Sequence, residues 1–162
     1  MLAWLLMYII NKMIEILRTS SEDPDFIGLV KLLDADLAAR DGKDHQFYSQ
    51  FNSISAIKYV VVAFENGLAT GCGAIKEYSD EAMEVKRMFT KPEYRGRGIA
   101  ARILLELEKW AAEMGRRKCL LETGQRQPEA IALYEHNGYT QIDNYGQYVG
   151  VENSVCFQKL LV

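Results

Sequence analysis

The sequence predicts a single α/β (α+β) domain, a mixed sheet with helices on its faces. Three observations carry that prediction. At 162 residues the chain has the length of one ordinary domain. A β-branched run at Tyr59–Phe64 is joined by Asn66-Gly67 to a second strand-like run at Leu68–Lys76, and an Asn-Gly pair in that setting is the strongest short hairpin signal. Beyond residue 98, apolar residues at helical spacing alternate with short apolar runs of strand character.

The elements follow in order. Ile14–Arg18 is a short strand. Asp23-Pro24-Asp25 opens a helix with an acidic cap and proline in its first turn. Phe26, Leu29, Val30, Leu33 and Leu37 continue it to about Asp41-Gly42. Phe47, Tyr48 and Phe51 mark a shorter second helix. After the hairpin, Ser79-Asp80-Glu81 turns the chain into Met83–Thr90, so three antiparallel strands come in succession. Ile99, Ile103, Leu107, Trp110 and Met114 define a long amphipathic helix that Gly115 ends. Cys119-Leu120-Leu121 is a buried strand broken at Thr123-Gly124. Pro128 opens a last helix that Gly138 closes, and two strands, about Tyr139–Tyr148 and Ser154–Leu161, finish the chain.

Composition removes several function classes. Hydrophobic residues make up 49% and charged residues 25%, with only 3 Pro, which is the balance of a folded globule. The net charge is −3 and no Lys/Arg run could track a phosphate backbone, which argues against nucleic acid as a partner. Residues 1–10, MLAWLLMYII, are all apolar. A membrane span needs about 20 such residues, and a secretory signal carries its positive charge ahead of the apolar run, whereas Lys12 follows it. No membrane partner and a cytoplasmic location are therefore expected. The decamer reads as a short helix packed on the body or on the partner in a homodimer, rather than as residues upstream of a start at Met13. Cys72, Cys119 and Cys156 lie in apolar strand-like runs and read as buried free thiols. His45 and His136 read as surface residues, and no spacing suggests a metal site.

The segment with chemistry in it is Arg95-Gly96-Arg97-Gly98-Ile99-Ala100-Ala101, placed between a strand and a helix. Unpaired N–H groups at a helix N-terminus bind phosphate oxygens, two glycines allow the backbone to approach closely, and two arginines add charge. Gly96-x-Gly98-x-x-Ala101 also satisfies the dinucleotide fingerprint, with Glu122 in place of the ribose-binding acid. The three-strand meander that precedes it is the wrong context for that fold.

Arg95-x-x-Gly98-x-Ala100 also fits the Q/R-x-x-G-x-G/A loop of the GCN5-related N-acetyltransferases, and the likeness runs further. Val85–Gly96 resembles that family's central strand and pyrophosphate loop. Leu121-Glu122-Thr123-Gly124, Ala130-Ile131-Ala132-Leu133-Tyr134-Glu135 and Gly138-Tyr139 resemble its next strand and the A-x-x-L-Y-x-x-x-G-F/Y helix end. The resemblance covers about residues 13–162 as one domain, with residues 1–12 as an apolar extension. It implies the acyl-CoA N-acyltransferase fold, a mostly antiparallel sheet with a central splay, and acetyl-CoA as cosubstrate without a metal. The implied cofactor contacts are Met88, Phe89 and Thr90 on the strand, Arg95, Gly96, Arg97, Gly98, Ile99, Ala100 and Ala101 in the loop, and Gln127, which stands where many members have Asn.

The implied reaction is direct attack of a neutral amine on the thioester. It needs a base, an oxyanion donor and an acid for the departing sulfur. Tyr134, at the family's L-Y position, is the expected acid. Glu84 and Glu122, on the strands flanking the splay, compete as base with a water chain. The acceptor, a small primary amine or amino acid before a protein amine, is expected between Phe47, Tyr48, Phe51 and the segment 145–153. The rival from another class is a non-catalytic acyl-CoA-binding module.

Overall fold

The computed structural model describes residues 1–11 and 14–162, and the side chains of these except 7–11. The domain boundary expected at residues 12–13 lies outside the described residues. A helix, α1 (Leu2–Asn11), comes first, then β1 (Ile14–Thr19) and α2 (Pro24–Asp41). One 3-10 turn leads into α3 (His45–Ser49). The meander is β2 (Tyr59–Glu65), β3 (Leu68–Glu77) and β4 (Ala82–Thr90). Then come α4 (Ile99–Glu113), β5 (Lys118–Gly124), α5 (Pro128–His136), β6 (Thr140–Ile142) and β7 (Ser154–Leu160). The strands form one 7-stranded sheet in the order β1-β2-β3-β4-β5-β7-β6. Only β4 and β5 run parallel; every other neighbouring pair is antiparallel.

Local chemistry sets the boundaries. The Asp23 carboxylate accepts from the N–H groups of Asp25 and Phe26 and caps α2. Asn66 and Gly67 both take positive φ, 52° and 78°, the geometry of a tight hairpin that follows the strand twist. Gly115 and Gly138, at φ 78° and 86°, end α4 and α5.

Apolar alternation divides the core between the two faces of the sheet. Val61, Ile75, Met83, Val85, Cys119, Leu121 and Phe157 pack with Ile103, Leu104 and Leu107 of α4 and with Tyr134 of α5. Val60, Val62, Ala74 and Phe89 pack with Phe26, Leu29 and Leu33 of α2 on the other face. A Cβ at Gly73 would lie 2.4 Å from Met88 Sδ and 2.9 Å from Ile103 Cγ2, so the glycine lets α4 settle onto β3. The cysteines are buried free thiols, and burial pushes Cys72 and Cys119 up to about 12 and Cys156 to about 11.

Four sequence expectations need correcting. The long strand at Tyr139–Tyr148 is only three residues, Thr140–Ile142. Its remainder is a loop with a 3-10 turn at Gly146–Tyr148, because Asn144 Nδ2 donates to the carbonyls of Tyr148, Val151 and Ser154 and folds the loop back. The strand at Cys119 continues through Thr123-Gly124, which pair with β7. His45 is half-buried, with a buried Nδ1 that has no partner. Residues 1–6 of the apolar decamer are exposed rather than packed on the body, Trp4 at 82%.

Candidate active site

Pairing of β4 with β5 stops at Glu84–Leu120. From there the two strands part, and a cleft of about 410 Å³ opens between them, flanked by α2 on one face of the sheet and by α4 and α5 on the other. The margin of β4 beyond Glu84 has no ladder partner on the β5 side. Backbone groups left this way need a partner, and an extended ligand can supply one.

A bulge re-aims the same strand. Between Cys72 and Ala74 the register with β3 slips, and Arg87 takes φ 57°. A non-glycine residue holds that conformation only against a steric penalty, which the surroundings must offset. Here the buried Arg87 guanidinium pairs with Asp34 of α2.

At the cleft's outer end the 3-10 turn Pro92–Tyr94 leads to α4. Gly96 and Gly98 have φ 76° and 75°, and Gly98 occupies the N-cap with no side-chain bond to the helix. The first N–H groups of α4 are therefore open to an anion. Arg95 Nε donates to the Thr90 carbonyl at 2.9 Å, and the guanidinium lies 5.7 Å from the Phe89 ring centre, which ties the loop to the end of β4. Met88, Phe89, Thr90, Arg95, Gly96, Gly98, Ile99, Ala100, Ala101 and Gln127 all line the cleft. The Arg97 side chain does not. Its Nη1 donates to both carboxylate oxygens of Glu65, at 2.7 and 2.9 Å, so its charge is committed to the opposite hairpin rather than to the loop.

The three residues singled out for chemistry, Glu84, Glu122 and Tyr134, also line the cleft, in different circumstances. Glu84 accepts from Tyr145 Oη at 2.6 Å and has Lys86 Nζ 3.5 Å from its other oxygen. Burial, with the charge of Glu84, pushes the Tyr145 phenol far up, so Tyr145 keeps its proton as the donor. Glu122 is held less firmly, and its Oε1 is buried with no partner. Burial pushes its carboxyl up to about 7; the Ser154 hydroxyl and Lys86 pull it down, while Glu84 and Asp41 push it further up. Tyr134 is buried against Tyr139 and Phe157, and burial, with the Glu122 charge, pushes its phenol well above the ordinary range. It therefore keeps its proton at neutral pH.

Around Glu122 lies an aromatic wall. Tyr48 and Ser154 share a hydrogen bond of 3.0 Å, and Asn153 Nδ2 donates to Tyr48 Oη at 3.3 Å. Phe47 stands edge-on to Tyr48 and Phe51, and Phe51 to Tyr148. The expected acceptor segments thus meet, although of Phe47, Tyr48 and Phe51 only Tyr48 lines the cleft, joined there by Tyr148.

Sequence reasoning missed Asp41 and Ser154. Asp41 is the last residue of α2, only 4% exposed, and lines the cleft. A signal was present, because a carboxylate in the last turn of a helix faces the negative end of its dipole and needs another reason to be there. Ser154, opposite Gly124 in the β5–β7 ladder, carries no sequence mark. Among the described residues no group of three His, Cys, Asp or Glu could hold a metal ion, and no helix is long and apolar enough to cross a membrane.

Residues 56–141, just over half of the chain, match the family described as acetyltransferase (GNAT) domain. The chain is 38% identical over 101 residues to the uncharacterized N-acetyltransferase YjgM of Escherichia coli (strain K12); that stretch is 61% of this chain and 58% of YjgM, so the match spans little more than half of the relative. A solved chain from Klebsiella pneumoniae, described as a candidate acyl-CoA N-acyltransferase, superposes with a TM-score of 0.78 at 29% identity, over 93% of this chain and 99% of its own. The paia N-acetyltransferase of Thermoplasma acidophilum, solved in complex with coenzyme A, shares the fold with a TM-score of 0.67 at 21% identity, over 91% of this chain and 98% of its own.

Proposed function

This chain belongs to the GNAT acetyltransferase family, and on that premise we propose that its cleft transfers an acetyl group from acetyl-coenzyme A to a primary amine by direct attack. One observation carries the reading: where β4 and β5 separate, Glu122 and Tyr134 reach the same gap from opposite faces of the sheet. Coenzyme A bound on the same fold in the Thermoplasma protein supports the choice of cosubstrate.

The chain's residues fit that cosubstrate. The open N–H groups of α4 and the charge of Arg95 suit a pyrophosphate, and the unpaired margin of β4 at Met88–Thr90 suits the amide-bearing arm. Gln127 lines the cleft at the N-cap of α5 and is placed to meet that arm. The thioester then lies in the gap, with α4 and α5 behind it and the aromatic wall in front.

Each proton has a carrier. The amine attacks the thioester carbon from the α2/α3 face, and the Glu122 carboxylate takes its proton. A carboxyl titrating at about 7 is half-ionised at working pH and basic enough to do so. Main-chain N–H groups on the free margin of β4 face the developing oxyanion. As the carbon–sulfur bond breaks, Tyr134 donates to the departing thiolate from the other face. Glu84, held by Tyr145 and Lys86, positions the surroundings instead of moving a proton.

We place the catalytic unit at residues 13–162, with the exposed apolar helix as an accessory segment, and take a small amine before a protein amine as the acceptor class. The test is release of free thiol from acetyl-coenzyme A in the presence of a panel of amines, for the full chain and for Tyr134→Phe. Coenzyme A binding without thiol release for any amine would make the protein a binding module and end this reading.

A further inference from the structure

We propose that the α2/α3 face of the cleft selects an acceptor with two positive charges, an aliphatic diamine, whose reacting amine sits at Glu122 while its far ammonium is held by Asp41. The inference rests on the amine-acetylation reading above and names its substrate class.

Asp41 has no other evident occupation. It is 4% exposed, lines the cleft, and its carboxylate makes no hydrogen bond or ion pair among the described residues. Burying a carboxylate without a partner is costly, and burial raises this one. Against that rise, His45 and Arg126 pull the carboxyl back down, yet neither donates a hydrogen bond to it. Arg126 Nη1 donates to the main-chain carbonyl of Asp41 and to the Asp44 carboxylate, both at 3.0 Å, and His45 follows on the next turn of chain. Arg40, the neighbouring cation on α2, pairs with Asp36 and with Glu129 at the rim.

A second orphan faces the same space. Glu122 Oε1 is buried without a partner, and Asp41, Tyr48 and Glu122 all line the same cleft. The cations near it are neutralised: Lys86 lies beside Glu84, and Arg87 is paired with Asp34. A carboxylate-bearing acceptor would therefore meet two carboxylates, with Lys86, Arg87 and Arg126 each already beside an acid. An acceptor with an ammonium at each end meets a carboxylate at each end. The carbonyl end of α2 and the faces of Tyr48 and Tyr148 also favour a cation there.

The experiment compares putrescine and cadaverine with butylamine, pentylamine and γ-aminobutyrate as acceptors for the full chain. The expected result is a kcat/KM for the diamines about tenfold to a hundredfold above the monoamines, with γ-aminobutyrate the poorest. Asp41→Asn should collapse the diamine-to-monoamine ratio toward one. Monoamines used as well as diamines, a preference for γ-aminobutyrate, or an unchanged ratio in Asp41→Asn would each overturn the proposal. Calorimetric titration of putrescine into the coenzyme A-loaded protein separates this inference from the parent reading. Binding weakened by Asp41→Asn sustains the site even if no acetyl transfer is found, whereas transfer to amines without a diamine preference removes the site and leaves the enzyme.

Discussion

Replacing Glu122 with Gln removes the proposed base and one ionisation while keeping the shape of the side chain. In the folded protein burial lifts this carboxyl from 4.5 to about 7, which corresponds to a penalty of about 3 kcal/mol on its charged form. The sign is definite. Below the unfolded value both states hold the proton and the penalty is absent. As pH rises from there through the folded value the unfolded chain releases its proton first, so stability falls, and above about 7 the loss is complete. The Gln variant has no such titration. Urea unfolding of both proteins at about pH 4 and about pH 8 should therefore show the variant gaining about 3 kcal/mol on the wild type across that interval. Activity should move the other way. The kcat/KM profile of the wild type should have a limb with an apparent pKa of about 7. In the variant that limb disappears and the rate falls by roughly a hundredfold or more. A rise near 10 from the acceptor's own ammonium is common to both. A variant with wild-type turnover and an unaltered limb would remove Glu122 from the mechanism. A stability difference that does not change with pH would show that its carboxylate carries no burial penalty.

The other predictions are simpler. Tyr134→Phe keeps the packing on Tyr139 and Phe157 but removes the donor, so turnover should drop by about a hundredfold while coenzyme A affinity, read by calorimetry, stays near the wild-type value; full turnover would exclude Tyr134 as the acid. Gly98→Ala forces a side chain to φ 75° at the mouth of α4; it should cost about 1–2 kcal/mol of stability and weaken coenzyme A binding, and a variant with unaltered affinity would count against the phosphate cradle. Gly73→Ala puts a Cβ against Ile103 and Met88 under α4; thermal melts should show a loss of about 1–3 kcal/mol, and a neutral result would mean that α4 can shift away from β3.

Much of the fold was legible because its signals are local. Asp23-Pro24 caps a helix by direct bonds to the next turn, and Asn66-Gly67 adopts positive φ whatever surrounds it. The strand expected over Tyr139–Tyr148 failed for the opposite reason. Its aromatic residues have strand propensity, but Tyr145 is drawn off to Glu84, 61 residues away, and Asn144 folds the loop back onto the carbonyls of Tyr148, Val151 and Ser154, a pattern that strand propensity does not register. The loop glycines of the site were legible for the same local reason as the turns. The side chain of Arg97 lies outside the cleft lining: a charge beside glycines looks like a phosphate ligand, and nothing near it in sequence reveals that Glu65 lies across the gap.

The choice between the two glutamates shows what only tertiary structure decides. Glu84 and Glu122 are the same residue type, on adjacent parallel strands, and the register of Glu84 with Leu120 puts both on one face of the sheet. Two residues of separation set them apart. Glu84 sits at the last paired position, where Tyr145 and Lys86 can reach it. Glu122 lies just past the point where the strands part, still laddered to Cys156 of β7 on one side and open to the cleft on the other. Its ladder fixes its position, and its Oε1 is buried without a partner. The proposed base needs both a fixed position and an unoccupied lone pair, and the parting of β4 from β5 is why we assign that role to Glu122 and not to Glu84.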